Sequence, residues 1–374
     1  MFQIDSLKSQ RFSAIAGRYV TSEKIASFLS DLNQNFKVEV VGESVEKRAI
    51  KTVRWGEGKC KVFMWSQMHG NESTTTKAVI DLLHLLNTSQ EKWVEEWKQH
   101  FTLLIVPILN PDGAHYYTRV NANQVDLNRD SIDLSQPESQ LLRRLFDEFA
   151  PHYAFNLHDQ RTIFGVGETG KPATISFLAP SFNEACDWNA TRTEAMQLIV
   201  AMNKEVQKVI PGQVGRFDDS FNINCIGDYF QTQEVPTILF EAGHYPEDYE
   251  REETRTIVFL SLLTCLKAIK EQLHTQYALE EYLAIEENQK NFTDIVFKNV
   301  LFVKNNANYI VNVQYLEILK NEKVTFCPRI VGYDQKESKF AHNSINTPLK
   351  FLKHIEFLEN SLEKNIYDVT EKID

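Results

Sequence analysis

Short apolar segments that end in polar, titratable residues alternate with amphipathic helical segments over most of this chain of 374 residues. Residues 101–109 form an almost continuous apolar run, which is typical of a strand buried on both faces. Further strands are predicted at residues 36–40, 48–54, 61–65, 153–157 and 237–240. Helical periodicity predicts helices at residues 22–32, 72–86, 136–149, 188–209 and 254–273. This alternation predicts an α/β fold, an α/β/α sandwich around a mixed, largely parallel sheet.

The sequence pattern changes after about residue 275, beginning with a charged stretch at residues 280–290. Short alternating segments follow at residues 295–302, 309–313 and 323–328. We therefore predict two domains, an α/β domain over residues 1–275 and a C-terminal unit over residues 276–374. The C-terminal unit would consist of a linker helix and a small β-rich appendage.

Charge and composition narrow the classes of function. The chain has 40 Lys and Arg residues against 51 Asp and Glu residues, and this net charge of −11 disfavours nucleic acid as a partner. No apolar run reaches the ~20 residues of a transmembrane helix, and Asp5, Lys8 and Arg11 interrupt the segment where an export signal would lie. Five scattered cysteines without a CxxC pair are typical of reduced thiols. We therefore expect a cytoplasmic protein that does not enter a membrane.

Polar residues follow four of the predicted strands, at the point where each strand ends. They are residues 69–72, 110–113, 158–159 and 241–244. Because the carboxyl ends of parallel strands open into one shared crevice, we expect these side chains to meet at one edge of the sheet. That edge would then hold two or three imidazoles and at least two carboxylates.

Three of these residues suit a metal ion. His69 and Glu72 are three positions apart, and Glu72 would lie in the first turn of the following helix. With His158 from another strand they would form a His₂Glu set, which leaves one position open, as catalytic zinc requires. Taken alone, His69 and Glu72 have a simpler explanation as a loop histidine and a helix N-terminal charge. The combination with the other strand ends favours the metal site.

A long polar connection over residues 117–130 contains two arginines and three asparagines. Loops of this length without their own secondary structure are usually functional in a compact domain. A solvated loop with turn-forming asparagines remains the alternative for any single residue in it.

Taken in order, these motifs resemble the zinc metallocarboxypeptidases of the peptidase M14 family. The motifs are His69-x-x-Glu72, Asn110-Pro111-Asp112-Gly113, Arg119-x-Asn121, Asp126-Leu127-Asn128-Arg129, a later His158 and the strand-terminal Glu241. The resemblance covers roughly residues 69–244, and it is specific because several independent motifs agree. It implies the zinc carboxypeptidase fold for the α/β domain.

The resemblance also implies a metal centre. His69, Glu72 and His158 would bind one zinc ion. Asp126 matches the carboxylate that accepts a hydrogen bond from the first ligand histidine and so determines its tautomer.

The remaining roles implied by the resemblance concern the substrate. Arg119 would polarise the scissile carbonyl and stabilise the oxyanion. Asn128 and Arg129 would bind the free α-carboxylate, for which the planar guanidinium is suited. Glu241 would act as the general base.

The chain also departs from the family. Digestive members carry a substrate-contacting tyrosine about twenty residues before the catalytic glutamate, whereas residues 216–222 here contain phenylalanine and no tyrosine. Tyr229 is nearer to Glu241 and is predicted to belong to a different element. The residue at the pocket floor falls near Gly227 by rough alignment, so no side-chain preference is predicted. Arg161 and His244 lie close to these motifs, and their roles stay open.

We therefore predict a zinc-dependent metallocarboxypeptidase that hydrolyses the C-terminal peptide or isopeptide bond of substrates with a free carboxylate. One alternative is an amidohydrolase of N-acyl amino acids, resembling the aspartoacylase and succinylglutamate desuccinylase group. Enzymes of that group also carry a small C-terminal β domain, whereas the long segment between Arg119 and Arg129 favours the peptidase. A second alternative is a non-catalytic module that binds carboxylates.

Overall fold

The computed structural model describes residues 2–302, 307–336, 339–346 and 350–351, with the backbone only for residues 301–302 and 350–351. The strands are β1 (Phe36–Glu43), β2 (Ala49–Trp55), β3 (Cys60–Ser66), β4 (Phe101–Val106), β5 (Tyr153–Asp159), β6 (Gly165–Val166), β7 (Ile175–Leu178), β8 (Val214–Arg216), β9 (Thr237–Ala242), β10 (Asn288–Gln289), β11 (Phe292–Phe302), β12 (Ala307–Lys320), β13 (Lys323–Asp334), β14 (Phe340–Asn346) and β15 (Lys350–Phe351).

The helices are α1 (Ile4–Ser9), α2 (Ser22–Ser30), α3 (Thr74–Thr88), α4 (Lys92–His100), α5 (Pro111–Tyr116), α6 (Pro137–Phe149), α7 (Ala190–Val206), α8 (Ile226–Thr232), α9 (Glu252–Glu271) and α10 (Leu279–Leu283). Two 3₁₀ turns lie at Leu127–Arg129 and Leu273–Gln276. Within the described ranges, no helix is both long and apolar enough to cross a bilayer.

An eight-stranded mixed sheet in the order β1-β2-β4-β3-β5-β9-β7-β8 forms the centre of the α/β unit. The four strands β4, β3, β5 and β9 run parallel, β2 and β7 pair antiparallel with this group, and β1 pairs antiparallel with β2. The carboxyl ends of β3, β5 and β9 therefore open at one edge, where ligands bind in open α/β sheets.

Strand β3 shows why helices cover both faces of this sheet. Its apolar run is continuous, so successive side chains are buried on opposite sides. Val62 and Met64 pack into the core formed with α3, α7 and α9, whereas Phe63 and Trp65 pack with α6 and α8 on the other face. The predicted α/β/α sandwich is confirmed.

Several predicted bounds were wrong by a few residues, and some of these errors matter at the site. Helix α3 begins at Thr74, so Glu72 lies in the preceding turn and not in the first helical turn as predicted. Strands β5 and β9 extend to Asp159 and Ala242, so His158 and Glu241 lie within the last residues of their strands.

A separate β-rich sheet follows the α/β unit, as predicted. Its strands are ordered β13-β12-β11-β14, with β15 also paired to β11. Val300, Val311, Val313 and Ile330 form its small core. Residues 352–374 of the predicted appendage lie outside the described residues.

The stretch between the two sheets packs on the α/β unit. Tyr282 of α10 is 1% exposed, and its hydroxyl accepts a hydrogen bond from the Ala179 N–H at 3.2 Å. Strand β10 pairs with β6. The predicted boundary between residues 275 and 276 stays a prediction.

A pair of histidines lies where the C-terminal sheet meets the α/β unit. His342 of β14 donates from Nε2 to the Thr162 carbonyl at 2.7 Å, and its ring centroid is 4.2 Å from that of His244. Burial lowers the pKa of His342 to about 4, with the Thr162 hydrogen bond opposing and the charge of Arg251 adding to the effect. Burial, then His342, Arg251 and Arg18, lower the pKa of His244 to about 2.

These shifts predict how stability depends on pH. Both histidines are neutral in the folded protein, whereas in the unfolded chain they take up protons below about pH 6.5. The free energy of unfolding should therefore fall as the pH decreases from about 6.5 towards 4, by on the order of 2 kcal/mol per histidine at pH 5. Urea unfolding across this range should show a smaller loss for His342→Phe than for the wild type.

Candidate active site

The loop after β3 is held by a close backbone contact. A Cβ atom on Gly70 would lie 1.8 Å from the carbonyl carbon of Gly113, so only glycine fits at this position. The Asn110 side chain donates to the Met68 carbonyl at 3.2 Å and accepts from the Gly113 N–H at 2.8 Å. The 110–113 motif therefore supports the loop that carries His69, and the Asn110 side chain makes its hydrogen bonds with backbone groups.

Side chains of His69, Glu72 and His158 converge at the carboxyl edge of the sheet. Nδ1 of His69 lies 2.8 Å from Glu72 Oε1 and 3.1 Å from Nδ1 of His158, which is 2.8 Å from Glu72 Oε2. Among the described residues these are the one cluster of three or more such side chains that could hold a metal ion, with ligand atoms within 4.8 Å of one another. All three side chains are buried.

Asp126 determines which His69 nitrogen carries the proton. Its Oδ1 lies 3.0 Å from His69 Nε2, so a proton on Nε2 leaves the lone pair of Nδ1 facing Glu72 and His158. Electron-pair donors that face one another at this distance repel unless a proton or a cation lies between them. Two imidazole nitrogens and a carboxylate are a ligand set that zinc accepts, so the side chains present fit this ion.

Charges around Glu72 keep it ionised. Burial raises the pKa of this carboxyl, but in the absence of a bound cation the positive charges of protonated His69 and His158, with their hydrogen bonds, outweigh burial and bring the pKa well below its usual range. The same Glu72 charge helps to raise the pKa of His69 above its ordinary value against the opposing effect of burial.

Asp159 joins the two segments that carry the ligands. Its backbone N–H donates to Glu72 Oε2 at 3.1 Å, and its carboxylate accepts from the N–H groups of Thr74 and Thr75 at the start of α3. Analysis of the sequence missed this role. The signal available was the position of Asp159 directly after His158 at a strand end.

Arg119 enters the site from the polar segment after α5. Its Nη1 lies 3.2 Å from Glu72 Oε1, and Asp126 Oδ2 accepts from its Nε at 3.1 Å. The side chain is 47% exposed, so the guanidinium is fixed on one side and accessible on the other. This is the geometry of a cation that can meet a bound molecule.

Glu241 lies directly beside His158 in the register of β5 and β9. Leu239 and Glu241, on the same face of the strand, are the residues of β9 that remain partly accessible. Burial first, and then the charges of Glu72 and Asp159, raise the pKa of Glu241 well above its usual range. A cation held by the ligand cluster would oppose that shift.

Asn128 and Arg129 lie on the 3₁₀ turn Leu127–Arg129. The Asn128 Oδ1 accepts from the Ile226 N–H at 3.1 Å, which anchors the turn to the start of α8. Arg129 is exposed and donates to the Asn128 carbonyl at 2.6 Å, within its own turn. At Gly227, a Cβ atom would lie 3.2 Å from Pro180, so glycine leaves space between α8 and the sheet.

Among the described residues, no side-chain hydrogen bond or ion pair joins the other three residues considered in the sequence, Tyr229, Arg161 and His244, to His69, Glu72 or His158. The guanidinium of Arg143 stacks 3.5 Å from the ring centroid of Tyr229, which belongs to α8, a different element, as predicted. Arg161 is exposed. His244 packs against Tyr249 and His342, away from Glu241, and neither ring nitrogen has a hydrogen-bond partner among the described residues.

Comparison with known proteins finds similarity to zinc carboxypeptidases. Residues 24–200 match the family model described as zinc carboxypeptidase, peptidase M14. A segment of 114 residues is 33% identical to a probable carboxypeptidase 2 of Trichophyton verrucosum, covering 30% of this chain and 21% of that protein. The match thus spans about a fifth of the length of this curated relative.

Solved structures share the fold. A metallo-carboxypeptidase from Burkholderia cenocepacia superposes with a TM-score of 0.55 at 20% identity, covering 68% of this chain and 70% of that one. A metallo-carboxypeptidase from Pseudomonas aeruginosa has a TM-score of 0.55 at 16% identity, with 68% and 70% covered.

The contact between Asp126 and His69 leads to a prediction about metal affinity. Asp126→Asn should weaken Zn²⁺ binding by about 10- to 100-fold, because the amide no longer fixes the tautomer of His69. Competition with a chromophoric chelator measures this affinity. Asp133→Asn, at an exposed position of the same segment, serves as the control and should bind Zn²⁺ as the wild type does. Equal affinities for Asp126→Asn and the control would contradict the assignment.

Proposed function

We propose that this chain, whose residues 24–200 match the zinc carboxypeptidase family model, peptidase M14, is a zinc-dependent carboxypeptidase that hydrolyses the C-terminal peptide or isopeptide bond of substrates with a free carboxylate. The observation that carries the proposal is the convergence of His69, Glu72 and His158 beside Arg119 and Glu241 at one sheet edge. The relatives named above are carboxypeptidases, which favours peptide hydrolysis over deacylation of N-acyl amino acids.

One zinc ion would be held by His69 Nδ1, the Glu72 carboxylate and His158 Nδ1. Zinc bound there supplies a Lewis acid that lowers the pKa of water and polarises a carbonyl group. The protein contributes the orientation of its donors, through Asp126 on His69 and the Asp159 N–H on Glu72.

Other side chains around this centre would transfer the proton, stabilise the oxyanion and bind the substrate carboxylate. Glu241, beside His158, accepts the proton of the attacking water and returns it to the leaving amine. Arg119 presents a fixed cation to the oxygen that becomes negative as the carbonyl is attacked. Asn128 and Arg129 bind the terminal carboxylate, since Arg129 is exposed and its turn is anchored to α8.

Replacement of the general base tests the proposal. Glu241→Gln keeps the shape of the side chain but cannot take up a proton, so kcat on peptides with a free C-terminus should fall by about 10²- to 10⁴-fold. Glu247→Gln, an exposed position in the following loop, should leave kcat unchanged. The assay should use zinc-loaded proteins with equal metal content. Equal rates for Glu241→Gln and the wild type, or activity confined to N-acetyl or N-succinyl amino acids, would refute the proposal.

Recognition of the carboxylate gives a second test. Arg129→Ala should raise KM for peptides with a free carboxylate, by about tenfold, because a charge-assisted hydrogen bond is lost. C-terminally amidated peptides should be poor substrates for both proteins. Arg54→Ala, at an exposed arginine of β2, should behave like the wild type. An equal KM in the wild type and Arg129→Ala would place the carboxylate site elsewhere.

A further inference from the structure

A carboxylate of the C-terminal sheet contacts two segments that support the proposed active site. Glu317 of β12 accepts a hydrogen bond from the Tyr117 hydroxyl through Oε2. Its Oε1 lies 3.1 Å from Nη1 of Arg18. Tyr117 is 8% exposed and Arg18 is 4% exposed. The Glu317 side chain is 25% exposed, but because Arg18 and Tyr117 are buried, loss of their shared partner would be costly.

The contact with Tyr117 bears on Arg119. Tyr117 ends α5 in the left-handed conformation, with φ of 58°, and the next N–H, of Thr118, donates to the Gly113 carbonyl at 2.8 Å. Arg119 follows directly and places its Nη1 3.2 Å from Glu72 Oε1. Fixing the Tyr117 side chain therefore fixes the point from which the Arg119 segment departs.

The contact with Arg18 bears on Glu72. The Arg18 carbonyl accepts a hydrogen bond from the Ser73 hydroxyl at 2.6 Å, and Ser73 directly follows Glu72. Val20 lies two residues after Arg18, and its carbonyl accepts a hydrogen bond from the Gln67 side chain at 2.9 Å. Residues 18–20 therefore hold both ends of the loop that carries His69 and Glu72.

Charge balance makes Glu317 hard to replace at this position. Arg18 and Arg251 are both buried, and the Asp159 carboxylate lies 3.9 Å from the Arg251 guanidinium. Within this group of side chains, Glu317 is the carboxylate in contact with Arg18. Its removal would leave a buried guanidinium without its ion-pair partner, next to the segment that supports Glu72.

We propose that Glu317 is a positioning residue for the proposed hydrolysis. Its two oxygens join the segment that delivers Arg119 to the segment that holds Glu72, and so set the distance between the oxyanion-binding cation and the metal ligands. The C-terminal sheet would then contribute, through Glu317, to the geometry of the active centre. The inference rests on the proposed carboxypeptidase activity, because Arg119 matters to rate only in that reaction.

Steady-state kinetics of Glu317→Gln and Tyr117→Phe test this role in the full-length, zinc-loaded protein. Each variant should lower kcat by about tenfold with KM within about threefold of wild type, because misplacement of Arg119 weakens transition-state binding more than substrate binding. The double variant should lose little more than either single variant, since both break one network. Glu322→Gln, an exposed glutamate in the turn between β12 and β13, should match the wild type.

Unchanged kcat in both single variants, or a loss that only follows the unfolded fraction measured by circular dichroism, overturns the proposal. A separate readout distinguishes this failure from failure of the proposed function. If the wild type hydrolyses no peptide, the proposed function fails. Amide hydrogen exchange then tests whether Glu317 still positions the segment that carries Arg119. Faster exchange at the Thr118 and Asn121 amides in Glu317→Gln than in the wild type supports the role, and equal exchange overturns it.

Discussion

Lone pairs that face one another around Glu72 are the constraint on which the rest of this site depends. The carboxylate lies within hydrogen-bonding distance of two imidazole nitrogens, the Arg119 guanidinium and the Asp159 N–H, and these groups come from three segments, the loop after β3, the end of β5 and the segment after α5. No hydrophobic driving force brings such groups together, because burial of charged and polar groups costs free energy. The surrounding backbone must therefore hold them in place, and a cation among the donors would offset their repulsion.

The backbone does this through contacts that leave little freedom. Gly70 packs on Gly113 with no room for a side chain, and Asn110 connects the same two turns through its amide. Asp159 connects the end of β5 to the start of α3. The rigid parallel strands place these segments, and a small set of side chain to backbone hydrogen bonds adjusts them.

Much of this arrangement could be predicted from the sequence, for identifiable reasons. The apolar run at residues 101–109 indicates a buried strand, and the apolar periodicity of the helical segments indicates helices with one buried face. The layered α/β architecture therefore follows from local patterns. His69, Glu72 and His158 could be placed together because parallel strands share one edge. The start of α3 at Thr74 could not be predicted, since it depends on the distant Asp159 carboxylate.

Contacts between side chains that are far apart in sequence could not be predicted either. Arg18 and Glu317 are separated by almost the whole chain, and neither lies in a motif or in a periodic pattern that would reveal the ion pair. The same holds for the contact of His244 with His342, which assigns that histidine to the junction of the sheets and not to Glu241. Such long-range polar contacts arise from packing of finished elements, which composition and periodicity do not encode.

The strand order has a consequence for synthesis on the ribosome. Strand β9 inserts between β5 and β7, although the chain reaches it last of the three. Until residue 242 has emerged, β5 presents an unpaired edge that carries His158, while His69, Glu72 and His158 are already present. A nascent or truncated chain could then bind metal before it has Glu241, and its open central edge would invite pairing with other chains. Pairing of β9 with β5 therefore closes an edge that could aggregate, and it also places Glu241 beside His158.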